Sequence, residues 1–127
     1  MKLLFVGKKE IASFTRISVL RDQYHYQVDY AFTADAFIAE YAVDKYHIII
    51  LDFAVEAGTV ALEYIERKDP KQRVIVISAS ESYSEANGCA YCIERFNRHR
   101  LKEPVGIMDL VNAIRDFDYT PCMHCHD

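Results

Sequence analysis

The sequence predicts an α/β fold, a five-stranded parallel sheet in the order 2-1-3-4-5 with helices on both faces. Three observations carry this. Apolar runs and helical periodicities alternate five times along the chain. Two of the runs, Ile48-Ile49-Ile50-Leu51 and Val74-Ile75-Val76-Ile77, contain no polar residue, the mark of parallel strands buried on both faces. A length of 127 residues with 51% hydrophobic content fits one domain with its own core. For a doubly wound sheet of five strands at that length, 2-1-3-4-5 is the favoured order.

The elements follow in sequence. Residues 2–6 form a compact apolar run closed by Gly7. Over 9–23, Ile11, Phe14, Ile17 and Leu20 recur at helical spacing and predict an amphipathic helix. Tyr26, Val28 and Tyr30 alternate with polar neighbours, as in a strand exposed on one face. Thr33 or Asp35 caps a helix over 36–43. Residues 47–51 are the third strand, and a helix over 59–68 ends at Asp69-Pro70, because the residue before proline avoids the helical region. Residues 73–78 are the fourth strand. A helix is expected over 84–97 despite Gly88, a short strand within 98–102, and a last amphipathic helix over 106–117 with Ile107, Leu110, Val111 and Ile114 on one face. Residues 1–117 make the domain, and 118–127 a Cys- and His-containing tail.

Composition narrows the function. A net charge of −4 disfavours non-specific binding to nucleic acid or an anionic membrane. No apolar run approaches the length of a membrane span, and the first is too short for a signal-peptide core. The expectation is a cytoplasmic protein.

In an open parallel sheet, ligand chemistry lies beyond the carboxyl ends of the strands. Those ends are Gly7-Lys8, Asp52, Ser78-Ala79 and Lys102-Glu103-Pro104. With these residues in place, the chain resembles, over 2–117, the receiver domains of bacterial two-component response regulators. The resemblance implies that Asp52 holds the place of the phospho-acceptor aspartate, Ser78 that of the hydroxyl residue ending the fourth strand, and Pro104 that of the proline after the fifth. The chain also departs from that pattern. Where the family places two acidic residues after the first strand to hold Mg²⁺, this chain has Gly7-Lys8-Lys9. Mg²⁺ needs oxygen ligands, and lysines supply none. The family's lysine before the proline is replaced by Glu103, with Lys102 one residue early, and a one-residue shift on a strand turns a side chain to the other face. The loop after Asp52 is short, lacks the family's proline and reaches Gly58 early. The resemblance therefore implies a degenerate pseudo-receiver for which Mg²⁺ is not expected, with Lys8 or Lys9 set against Asp52 as a fixed charge in the metal's place. The plain alternative for Asp52 is a helix-cap or loop residue.

Cys89-Ala90-Tyr91-Cys92 and Cys122-Met123-His124-Cys125 form two CxxC pairs separated by 29 residues. In a reducing compartment such pairs point to metal or redox chemistry rather than structural disulfides. Four thiolates in two CxxC turns suit a tetrahedral zinc site, within one chain or between two, with His124 and His126 as reserve ligands. The other readings are a dithiol redox pair, buried free thiols, or the CxxCH of covalent haem attachment, which needs export. Arg95, Arg98, His99 and Arg100 form a basic stretch in an acidic chain. It reads as a solvated face, or as part of a protein-docking face on the fourth predicted helix, fifth strand and fifth predicted helix. The expected function is a stand-alone, non-enzymatic receiver-like signalling module of a phosphorelay. The alternatives are a metal or redox sensor on the same scaffold, or a working phospho-acceptor at Asp52.

Overall fold

Continuous β-branched and leucine-rich runs, with no polar side for water, make the middle of the sheet. The computed structural model describes residues 1–78 and 98–119. In chain order these form β1 (Lys2–Val6), α1 (Ile11–Asp22), β2 (Gln27–Ala31), α2 (Ala34–Glu40), β3 (Ile48–Asp52), α3 (Glu56–Lys68), β4 (Arg73–Ser78), β5 (Arg98–Lys102) and α4 (Ile107–Tyr119). The strands lie in the order β2-β1-β3-β4-β5, all pairs parallel, as the sequence predicts. The helix expected over 84–97, all four cysteines and residues 120–127 lie outside the described residues.

The period-two alternation of the strands divides the core in two. Leu4, Val6, Ile49, Leu51, Val74 and Val76 pack against α2 and α3 through Phe37, Leu62 and Ile65. Leu3, Phe5, Ile48, Ile50, Ile75 and Ile77 pack on the other face against Ile17 and Leu20 of α1 and Leu110 and Ile114 of α4. Each layer fixes one end of every strand-to-helix connection, and those connections carry the residues of interest.

Four expectations need correction. In α1, Ile11 is 85% and Phe14 40% exposed, while Ser13 joins Ile17 and Leu20 on the buried face. The helix turns to bury the 13-17-20 stripe, and Phe14 instead packs edge-on against Tyr30 and Phe32. Helix α2 is shorter than expected. It is capped by Thr33, whose Oγ1 accepts from the Ala36 N–H at 3.0 Å, and ends at Glu40, leaving Val43 exposed. Helix α3 begins at Glu56, three residues early, so Gly58 is inside the helix rather than in the loop before it. Finally, the described part of the basic stretch, residues 98–100, is not a solvated face, and Arg95 lies outside the described residues. Arg98 is buried, its Nη1 donating to the Gln72 carbonyl at 2.6 Å, and His99 packs against Phe117 of α4.

Candidate functional site

The sheet register assembles the candidate site. Val6 lies opposite Leu51, Asp52 opposite Ile77, and Ser78 opposite Lys102. The ends of β1, β3, β4 and β5 are thus neighbours along one edge, with Gly7-Lys8, Asp52, Ser78 and Lys102-Glu103 in adjoining loops. The register makes Lys102, not Glu103, the partner of Ser78. Glu103 contributes its backbone, donating its N–H to the Ser78 carbonyl at 3.1 Å. The Glu103–Pro104 bond that follows is cis.

Asp52 is partly buried, and its Oδ1 accepts the Ala54 N–H at 2.9 Å. Its carbonyl accepts the Val55 N–H at 3.3 Å, so side chain and backbone both hold the short turn between β3 and α3. The Phe53 N–H donates to the Ile77 carbonyl at 2.9 Å, which continues the sheet one residue beyond the strand. The Thr59 hydroxyl closes the other side, donating to the Phe53 carbonyl at 3.1 Å. Only residues 53–55 separate strand from helix, and α3 can begin so early because Gly58 has no side chain. A Cβ there would stand 1.9 Å from the Asp52 carbonyl oxygen. Nothing in the hydropathy pattern marks this approach. The signal available in the sequence was a glycine six residues after the aspartate, read as a loop closer rather than as a helix-to-strand contact.

The two lysines after β1 go elsewhere. Lys8 and Lys9 are exposed and, with Phe32, Thr33, Val55 and Glu56, line a groove of about 440 Å³ above β1 and β2. Among the described residues, no ion pair joins either of them to Asp52, so the expected fixed charge pair does not form. The reason lies in the loop. Ser13, buried on α1, donates to the Lys8 carbonyl at 2.6 Å and draws the β1–α1 connection down onto the helix. Sequence reasoning missed Ser13, and its spacing from Ile17 and Leu20 was the available clue. Arg16 ties the same helix to the loop after β5, its Nη2 donating to the Val105 carbonyl at 3.3 Å.

The receiver resemblance implies a divalent cation, and the donor chemistry of the loop ends does not fit one. Asp52 is the single carboxylate that ends a central strand, the β1 end offers ammonium groups, and Glu10 is exposed at the cap of α1. Among the described residues, no three His, Cys, Asp or Glu side chains come together as metal ligands. The four cysteines proposed as thiolate ligands lie outside the described residues. On β5, burial lowers the His99 pKa below its ordinary value, with Asp116 opposing the shift. Among the described residues, no helix is long and apolar enough to cross a membrane.

No family model matches the chain, and no curated protein matches it. Solved structures do. The chain is similar to a two-component response regulator from Clostridium difficile at 14% identity and a TM-score of 0.69, covering 92% of this chain and 95% of that one. It is similar to the non-phosphorylated HemR receiver domain from Leptospira biflexa at 12% identity and a TM-score of 0.73, over 96% and 98% of the two chains. A CheY-like response regulator receiver domain protein from Methanospirillum hungatei JF-1 matches at 19% identity and a TM-score of 0.70, over 91% and 92%. The fold is that of the CheY-like receivers, α/β with sheet order 2-1-3-4-5.

Proposed function

We propose that this chain is a receiver-like signalling module, not an enzyme, whose Asp52 pocket has lost Mg²⁺-dependent phosphorylation. What supports the reading is the row of strand ends. Asp52 and Ser78 end β3 and β4, the positions at which the resemblance implies a carboxylate and a hydroxyl, while Gly7, Lys8 and Lys9 follow β1, where it implies the cation's ligands. Phosphoryl transfer to a carboxylate depends on positive charge placed on the transferring oxygens. The lysines supply charge but are exposed and form no ion pair with Asp52 among the described residues, and Asp52 is engaged by its own turn. Output then passes through protein contacts, on the face that the sequence assigns to the fourth predicted helix, the fifth strand and the fifth predicted helix. The test is incubation with Mg²⁺ and a small phosphodonor such as acetyl phosphate, read by intact mass. No stable acyl phosphate is expected. Stoichiometric labelling that disappears in Asp52→Asn would establish a working phospho-acceptor instead.

The two CxxC pairs add a second component to the proposal, supported by their spacing in the sequence. Cys89, Cys92, Cys122 and Cys125 form a zinc-type thiolate site that ties the tail to the segment before β5. Protein purified without added metal should carry zinc. Chelation should lower the melting temperature, because an ion bound to the folded state stabilises it by mass action. Any single Cys→Ser change should cost much of the affinity. Metal-free protein with both pairs oxidised would favour the redox-sensor reading.

A further inference from the structure

The register shows which backbone groups of β2 turn away from β1. Among the described residues, β2 has one neighbour, β1. The Gln27 N–H donates to the Met1 carbonyl at 3.1 Å, and the Gly7 N–H donates to the Ala31 carbonyl at 3.2 Å. Residues 27, 29 and 31 therefore turn their backbone groups towards β1. By the alternation of a strand, Val28 and Tyr30 turn theirs to the free edge. Such an edge is a template on which another strand can add. It is occupied at one point. Arg21, in the last turn of α1, donates to the Val28 carbonyl from Nε at 3.0 Å and from Nη2 as well. The same guanidinium lies over the ring of Tyr30, 5.7 Å from its centroid.

We propose that Arg21 is an edge guard, an autoinhibitory contact that keeps β2 from pairing with the β2 of a second copy of this chain. The partner follows from the chemistry. An edge strand offers outward donors and acceptors in equal number, so two copies related by a two-fold axis satisfy one another with no further adaptation. Val28 and Tyr30 are both good strand formers, and Tyr30, one residue from the end of β2, is 43% exposed. Arg21 blocks this in two ways. It consumes the Val28 acceptor, and it places a permanent, delocalised cation where the incoming strand would have to strip its water. A lysine offers one point donor and no plane to lie on Tyr30, so it should guard less well.

The experiment is sedimentation equilibrium on the full chain over a wide concentration range, comparing wild type, Arg21→Ala, Arg21→Lys and the double variant Arg21→Ala/Tyr30→Lys. Arg21 and Tyr30 are surface residues, and circular dichroism checks that each variant folds. The expected result is concentration-dependent association in Arg21→Ala beyond that of the wild type, with the mean mass rising towards twice the monomer. Arg21→Lys should show less of it, and a charge placed on the edge by Tyr30→Lys should abolish it. An Arg21→Ala protein that sediments like the wild type at every concentration would overturn the proposal. So would an association that survives Tyr30→Lys, because it would use another surface.

Discussion

Gly58→Ala tests the closest approach in the candidate site. The added methyl carbon would lie 1.9 Å from the Asp52 carbonyl oxygen and 2.7 Å from the carbonyl carbon, whereas ordinary contact begins near 3.4 Å. The start of α3 must therefore move away from the end of β3 by roughly 1.5 Å, because a backbone carbonyl cannot swing aside as a side chain can. Overpacking of this kind costs about 3 kcal/mol. Alanine recovers at most about 1 kcal/mol through its better helix propensity. The net loss is about 2 kcal/mol, which for a chain of this size lowers Tm by roughly 8 °C. Gly106→Ala is the control, since a Cβ there meets only the Asp109 carboxylate oxygen, at 3.4 Å. Urea titration and thermal melts followed by circular dichroism read both. A Gly58→Ala protein as stable as the wild type would refute the seating of α3 on Asp52, and with it the account of the short turn.

Asp52→Ala should destabilise by about 1 kcal/mol, the net value of one hydrogen bond, because the Ala54 N–H loses its acceptor. Asp52→Asn should cost clearly less, since its amide oxygen can accept the same bond; equal urea midpoints for the two variants would remove Asp52 from the turn. His99 should add a pH-dependent term. Its folded pKa is lowered by burial, so the unfolded state binds more protons, and stability falls as pH drops below the ordinary histidine value towards the folded one. His99→Phe should therefore lose less stability than the wild type between pH 7 and 5, and parallel pH profiles would count against it.

The fold was legible because its information is collective. Eight strand residues in two unbroken apolar runs outvote any single misplacement, and β4 and β5 fall where the sequence predicts them. What failed were readings that hung on one face of one short helix. Ile11 and Phe14 have the hydrophobicity of core residues, yet α1 turns them outwards. Ser13 is buried instead, its hydroxyl satisfied by the Lys8 carbonyl, and Phe14 packs edge-on against Phe32 and Tyr30. The spacing of four apolar residues cannot weigh those tertiary options. The start of α3 failed for a related reason. Glycine is read as a helix breaker from its own backbone entropy, but Gly58 is helical because the neighbouring strand leaves no room for a side chain.

The site was legible in position and not in direction. Strand ends are fixed by the hydropathy pattern, so Lys8, Asp52, Ser78 and Lys102 could be assigned to one edge from the sequence. Where each side chain points depends on one or two loop residues whose hydrogen bonds carry no pattern. Lys8 is the clearest case. Its ammonium was expected against Asp52, about two residues' width away across adjacent strands. The Ser13 hydroxyl instead holds the Lys8 carbonyl against α1, and Lys8 is exposed at the groove that Phe32 also lines. Among the described residues, Asp52 is held by neutral partners, the Ala54 N–H on its side chain and the Val55 N–H on its carbonyl. A partly buried carboxylate satisfied by its own turn needs no metal to be stable there. The same bond that explains its presence therefore weakens the inference that an aspartate at this position must be a phosphoryl acceptor.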